Sequence, residues 1–237
     1  IYRIGETEVF EVGDILLVTE KATNKLTSYR VRGNGSIDAP VVTASVGVTP
    51  FGFAFDRRGN ALVSEAFGGA TNASAVSSYR FDNAAHTTPV VVSPSVGTTQ
   101  TAACWVVVTP NSRYAFVTNT ASGTISSYAV TRSGKLSLVQ GIAAASGAGP
   151  IDAAISASGR NLYVLNAGAR TVSVFKIGSD ASLTNAGAAT GLPERRRERA
   201  TRRLDRGEPE GRPVQPGHSG PGHQFSAVAD PVVLFPA

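Results

Sequence analysis

The chain of 237 residues contains no methionine, one cysteine and only 7% aromatic residues. The missing Met extends to position 1, so residue 1 is not read as a translation start, and a fragment of a longer chain is the expectation. The single Cys104 cannot close an intrachain disulfide, which excludes a small disulfide-stapled domain. It leaves location open between the cytoplasm and export without disulfides. No run approaches eighteen apolar residues, so no membrane-spanning helix is expected, and no basic-then-apolar leader opens the sequence. His86, His218 and His223 stand in turns or near the C-terminus with no zinc spacing. There is no Gly-x-Ser-x-Gly elbow, phosphate loop or calcium loop, so neither a metal nor a cofactor is expected.

What the sequence does have is a repeat. YAFVTNTASGTISSYAV (114–130) and LYVLNAGARTVSVFKI (162–177) share an aromatic–aliphatic run ending in Asn, a small polar turn, and a second β-rich run opening on Thr. ALVSEAFGGATNASAVSSYRF (61–81) and ILLVTEKATNKLTSYRV (15–31) repeat the layout. The second run carries Tyr29, Tyr79, Tyr128 and Phe175, spaced 50, 49 and 47 residues apart. FGFAFDRRGN, CWVVVTPNSR and IDAAISASGR precede three of the copies, each an apolar run closed by a turn. A period of 40–50 residues with several short strands per unit marks the blades of a β-propeller. The predicted fold is therefore all-β, about four blades of four antiparallel strands in an open arc, with essentially no helix.

The expected blades are 1–46, 47–98, 99–146 and 147–193. Strands are predicted near 51–56, 61–65, 75–81 and 88–93; near 103–109, 114–119, 124–130 and 136–140; and near 151–156, 161–165, 171–177 and 182–187. The first unit reads as strands near 15–19, 26–31 and 41–45, its inner strand missing or altered. Apolar residues fall on both parities, as Val172 and Val174 against Phe175 and Ile177 show. That is what strands covered on both faces require.

From Pro193 onward the composition changes. Residues 194–237 hold repeated Arg, Pro and Gly and no β-periodicity, and carry +2 of the +5 net charge. Such a segment is expected to stay outside the blades, with a possible dock for the terminal PVVLFPA. Interleaved Glu194, Glu198, Glu208 and Glu210 argue against a nucleic-acid-binding arm, and a shifted reading frame accounts best for the abrupt change.

Segments such as GDILLVTEKATNKLTSYRV, PFGFAFDRRGNALVSEA and GPIDAAISASGRNLYVLNAGARTVSVFKI resemble the lactonase-type β-propeller family, and the related propellers of Tyr-Val-Thr-Asn repeats. The tetrad reads Phe116-Val117-Thr118-Asn119 and Tyr163-Val164-Leu165-Asn166 here. The resemblance covers residues 13 to about 190. It implies a seven-bladed parent and a hydrolase of sugar lactones such as 6-phosphogluconolactone, relatives cyclising carboxymuconate.

Blade topology places the candidate site. Loops joining the second strand to the third, and those joining one blade to the next, share one mouth of the channel. Glu20, Lys21, Glu65, Asn119 and Asn166 end second strands there, while Phe51, Gln100, Cys104 and Asp152 enter the inner strands. Glu20 or Glu65 would act as general base on water attacking a lactone carbonyl, with Lys21 steadying the oxyanion. Asn119, Asn166, Asp152 and Gln100 would bind ligand. The alternative is that Glu and Asn at these positions cap their own turns, in a non-catalytic propeller that binds a ligand or protein. Cys104 reads as a small buried hydrophobe rather than a nucleophile. A small molecule in the channel is the expected partner.

Overall fold

The computed structural model describes residues 2–4, 7–12, 14–81 and 87–192. The expectations for 194–237, and for His86, His218 and His223, lie outside the described residues.

Among the described residues seventeen strands form four antiparallel sheets in chain order, and within each sheet every strand pairs with the next in sequence. Blade 1 holds β1 (Tyr2–Ile4), β2 (Thr7–Val12), β3 (Ile15–Glu20), β4 (Lys25–Arg30) and β5 (Val41–Ala44). Blade 2 holds β6 (Pro50–Phe55), β7 (Ala61–Glu65), β8 (Ala75–Phe81) and β9 (Pro89–Gly97). Blade 3 holds β10 (Ala103–Val108), β11 (Tyr114–Asn119), β12 (Thr124–Val130) and β13 (Leu136–Ala145). Blade 4 holds β14 (Pro150–Ile155), β15 (Asn161–Asn166), β16 (Thr171–Ile177) and β17 (Leu183–Ala189). Among the described residues the only helical piece is a single 3₁₀ turn at Phe67–Gly69.

One expectation is corrected. The inner strand of blade 1 is present as β2, paired with β3 from Thr7↔Glu20 to Val12↔Ile15. β3 begins three positions after β2 ends, at Ile15 after Val12, where the later blades leave five residues between these strands, as in DRRGN. The turn signal is therefore compressed. An additional strand, β1, extends the same sheet to five.

The longer hairpins need a left-handed residue, and each blade supplies one. Gly59 (φ 80°) and Gly159 (φ 70°) serve blades 2 and 4, while Ser112 takes φ 56° in blade 3. The buried Ser112 hydroxyl accepts the Arg57 N–H of the neighbouring hairpin at 2.9 Å, a bond a glycine could not make.

The core consists of blade-to-blade seams, because each blade is one sheet thick. Ile15, Leu17 and Leu26 meet Ala61, Val63 and Tyr79 between blades 1 and 2. Leu62 and Val76 meet Ala115, Val117 and Tyr128 between blades 2 and 3. Phe116 and Ile125 meet Leu162, Val164 and Phe175 between blades 3 and 4. The middle blades are covered on both sides, so β7 is buried at all five positions. In β3 and β15 burial alternates instead. Leu16 and Val18 at one end of the arc, and Tyr163 and Leu165 at the other, are only half-buried. The arc is open, a partial propeller.

Candidate functional site

The loops after β3, β7, β11 and β15 stand on the same side of the arc as the connectors between blades, as antiparallel order requires. The inner strands enter from this side with a repeated irregularity. Register shifts fall between Pro50 and Phe53, between Ala103 and Trp105, and between Pro150 and Asp152. A bulge re-aims the residues it inserts, so Phe51, Cys104 and Ile151 leave the ladder on this side of the sheets. All three are half-buried.

Glu65 closes β7 and is fully buried. Its carboxylate accepts the Gly47 N–H at 2.8 Å, the Ser77 hydroxyl at 2.5 Å and the Ser95 hydroxyl at 2.6 Å. Gly47 lies so close that a methyl group there would run into the carboxylate. A carboxylate can be buried only when hydrogen bonds replace its water. Here three donors from the blade 1–2 connector, from β8 and from β9 do so.

The other three positions repeat the arrangement. Asn119 donates to the Ser126 hydroxyl at 2.9 Å and Thr124 at 3.2 Å. Asn166 donates to Ser173 at 2.8 Å and Thr171 at 3.1 Å, and accepts the Ser146 hydroxyl at 2.7 Å. Glu20 accepts the Thr23 hydroxyl at 2.6 Å and also bonds Thr27. Thr27, Ser77, Ser126 and Ser173 are thus one repeated hydroxyl on the third strand, and the last residue of the second strand latches onto it. Glu20 folds back onto its own turn through Thr23, whereas Glu65 is held by the preceding connector, β8 and β9. The hydroxyls of Thr23 and Thr27, with the nearby Lys25, hold the Glu20 carboxyl below its ordinary value against the opposing effect of burial.

Lys21 follows the latch in blade 1. Its ammonium stands over the Phe51 ring, 5.1 Å from the centroid, joining a cation to the bulged inner-strand position of the next blade. Gln100 is buried in the blade 2–3 connector, where its side-chain oxygen accepts the Thr124 hydroxyl at 3.1 Å. Asp152 is half-buried and accepts the Ala153 N–H at 2.8 Å. Its register opposite Leu165 places it on the outer lateral side of blade 4. Cys104 is half-buried rather than enclosed. The structure thus brings Lys21 and Phe51 together, sets Gln100 into a connector, and ties Asn119 and Asn166 to the third strands of their own blades. The third-strand hydroxyl went unread in the sequence, although Thr27, Ser77, Ser126 and Ser173 each stand two residues before the periodic aromatic.

Among the described residues no group of acidic, His and Cys side chains could hold a metal, and no helix is long and apolar enough to cross a membrane. No curated protein sequence matches the chain. Solved structures do. A Lactobacillus plantarum protein superposes with a TM-score of 0.64 at 19% identity, over 79% of this chain and 57% of its own. A Bacteroides uniformis protein, provisionally assigned as a 6-phosphogluconolactonase, gives 0.64 at 17% identity over 78% and 57%. The periplasmic gluconolactonase of Pseudomonas aeruginosa gives 0.59 at 19% identity over 77% and 53%. The chain spans a little over half the length of these structures. The family described as "Lactonase, 7-bladed beta-propeller" matches residues 73–197, which cover β8 to the end of the fourth blade and so more than half of the sequence. The chain belongs to the lactonase family of seven-bladed β-propellers.

Proposed function

We propose that this protein binds a small cyclic ester of the sugar-lactone class at the mouth formed by the strand-two loops and the blade connectors, and opens its ring. Lys21 is the residue on which the reading rests. Its ammonium lies beside Phe51, where the bulged inner strand begins. A fixed cation there would stabilise the negative charge that develops on the carbonyl oxygen as water attacks. The bulged residues Phe51, Cys104 and Ile151 would line the apolar side of the ligand. In this reading Glu20, Glu65, Asn119 and Asn166 are latches, so none of them takes the water's proton.

The test is ring opening of δ- and γ-sugar lactones by the purified chain, followed by acid release. Lys21→Ala is expected to lower kcat about 10²-fold, the effect of removing one preorganised donor. Glu20→Gln is expected to leave turnover unchanged. Full activity in Lys21→Ala would end the proposal. A second reading, a binding propeller without turnover, is favoured by one observation: all four strand-two ends are hydrogen-bonded within their own blades. It predicts lactone binding, weakened by Lys21→Ala, with no ring opening in either protein.

A further inference from the structure

Blades 2 to 4 turn twice at the end of the sheets opposite the connectors, between their first and second strands and between their third and fourth. Five of these hairpins are described in full, each of five residues: 56–60, 109–113, 131–135, 156–160 and 178–182. They carry six cations, Arg57, Arg58, Arg113, Arg132, Lys135 and Arg160, all exposed. Their carboxylates are two. Asp56 is 3% exposed and spends its oxygens inside its own turn, on the Arg58 N–H at 2.8 Å, the Asn60 N–H at 3.0 Å and the Asn60 amide at 2.8 Å. Asp180 accepts the Ser182 N–H at 3.1 Å and its hydroxyl at 2.6 Å. On the other side of these blades, the turns 66–74, 120–123 and 167–170 and the connectors 98–102 and 146–149 hold a single charged residue, Arg170. Charge is thus sorted onto the hairpin side.

The hairpins are locked to one another, so the cations form one fixed field. The Arg57 N–H donates to the Ser112 hydroxyl at 2.9 Å and joins the inner hairpins of blades 2 and 3. A Cβ at Gly134 would lie 2.8 Å from the Asn60 side chain, so the outer hairpin of blade 3 rests on the inner hairpin of blade 2. A Cβ at Gly159 would lie 3.3 Å from the Pro110 ring, which sets the inner hairpins of blades 3 and 4 side by side. The Tyr114 hydroxyl donates to the Ser179 carbonyl at 2.7 Å and ties in the outer hairpin of blade 4. Arg58 stands 3.8 Å from the already satisfied Asp56, and Arg113 lies over the Tyr114 ring. Arg57, Arg132, Lys135 and Arg160 form no ion pair with a described residue. In the sequence these cations are scattered between positions 57 and 160, and the blades gather them. Clustered charges of one sign raise the local potential and draw in a partner of the other.

We propose that this hairpin face binds the phosphate backbone of a nucleic-acid duplex, without reading its sequence. Five of the six cations are Arg, whose planar fork takes a phosphate through two parallel bonds. Apart from the cations, the exposed residues of the five hairpins are small or polar, among them Asn111, Ser133 and Ser158, and none is aromatic. A bilayer partner would draw its strength from buried apolar area as well as charge, and a single strand from bases stacked on aromatic rings. A duplex needs neither, since its phosphates present one charge per about 1.7 Å of axis. Hairpins of five residues, held to their neighbours, offer no helix or ribbon to enter a groove. Contacts to the backbone position a protein on a duplex and carry no sequence information.

The test is fluorescence anisotropy of a labelled DNA duplex of about 20 base pairs, titrated with the full chain at several salt concentrations. With all six cations engaged, log K should fall against log salt with a slope of about −5, a loss of roughly 10³-fold between about 50 and 200 mM. Duplexes of unrelated sequence should bind alike. Arg57→Ala with Arg58→Ala should lessen the slope by about 2. The triple reversal Arg57→Glu, Arg113→Glu and Arg160→Glu should weaken binding at least about 10²-fold, while Arg170→Ala on the connector side should change nothing. Residues 194–237 are present in every variant, so binding carried by that basic segment would survive the triple reversal and overturn the proposal. Should the triple variant fail to fold, the alanine pair decides, and an unchanged slope overturns it. So does a native chain that leaves the duplex free. Retention on phosphatidylcholine vesicles with about 30% phosphatidylserine, without duplex binding, would assign the face to a lipid surface and overturn it too. Duplex binding does not depend on lactone turnover, so this proposal and the functional one fail separately.

Discussion

Truncating Glu65 to alanine isolates what the latch contributes. The Gly47 N–H would lose its acceptor inside a seam closed to water. The Ser77 and Ser95 hydroxyls would each lose one bond, although Ser77 keeps the bond it accepts from the Ser95 N–H. A buried polar group left unpaired costs about 1–3 kcal/mol. With the amide at the upper end and the hydroxyls partly compensated, the total is about 3–4 kcal/mol, and it includes no gain from removing the charge. For a domain of this size 1 kcal/mol moves Tm by roughly 2–4 °C, so a fall of about 10 °C is expected. Glu65→Gln keeps the volume and one acceptor, and the Ser95 hydroxyl can turn to accept from the amide, so about 1 kcal/mol is expected. Thermal unfolding followed by circular dichroism measures both. Should Glu65→Ala unfold within about 2 °C of the native protein, the latch argument is refuted, and with it the reason for assigning Glu65 no chemistry.

Three further predictions follow from individual groups. Thr27→Val should bring the Glu20 titration back toward its ordinary value, read by carboxyl NMR. Because the folded value is lowered, the stability Glu20 adds is present above the usual glutamate range near about 4.3 and lost as pH falls through the lower folded value; that acid loss should shrink in the variant. Burial, then the nearby Glu65, raises the Tyr128 phenol. Its contribution is complete below the unfolded tyrosine value of about 10 and lost as pH rises beyond it, so Tyr128→Phe should flatten the alkaline unfolding curve. The buried Ser127 hydroxyl has no partner, so Ser127→Ala should cost less than about 0.5 kcal/mol in urea unfolding, whereas Ser78→Ala, which loses a 2.7 Å bond to the Gly134 carbonyl, should cost about 1 kcal/mol.

The blade pattern was legible because each strand announces itself locally. TVSVFKI and ISSYAV place apolar residues on both parities, and glycines mark the hairpins of DRRGN and SASGR, so most strand bounds fell within one or two residues. The outer strands β9 and β13 run several residues further than the sequence suggested, since bulges near Ser78 and Ser127 let irregular segments continue the pairing. The blade 1 inner strand was missed because a short connection leaves little turn composition to read. The chemistry of the site was less legible for a different reason. Glu65 looks like a mouth carboxylate in its own segment, and what buries it arrives from 18 and 30 residues away, as Gly47 and Ser95. Glu20 has the same local sequence context and a different exposure, set by which side of the arc has a neighbour.

Within each sheet every strand pairs with the strand next to it in the chain, and every seam joins consecutive blades. Cooperativity in such an array passes only between nearest neighbours, as in stacked repeats. Among the described residues blades 2 and 3 each rest on two seams and blades 1 and 4 on one, so within this stretch amide exchange should be slowest in β7 and β11. The same connectivity keeps sequence separations short for an all-β protein. Loop closure then costs little entropy at each step, so the sheets can form one after another, each completed blade offering the next a finished wall to fold against.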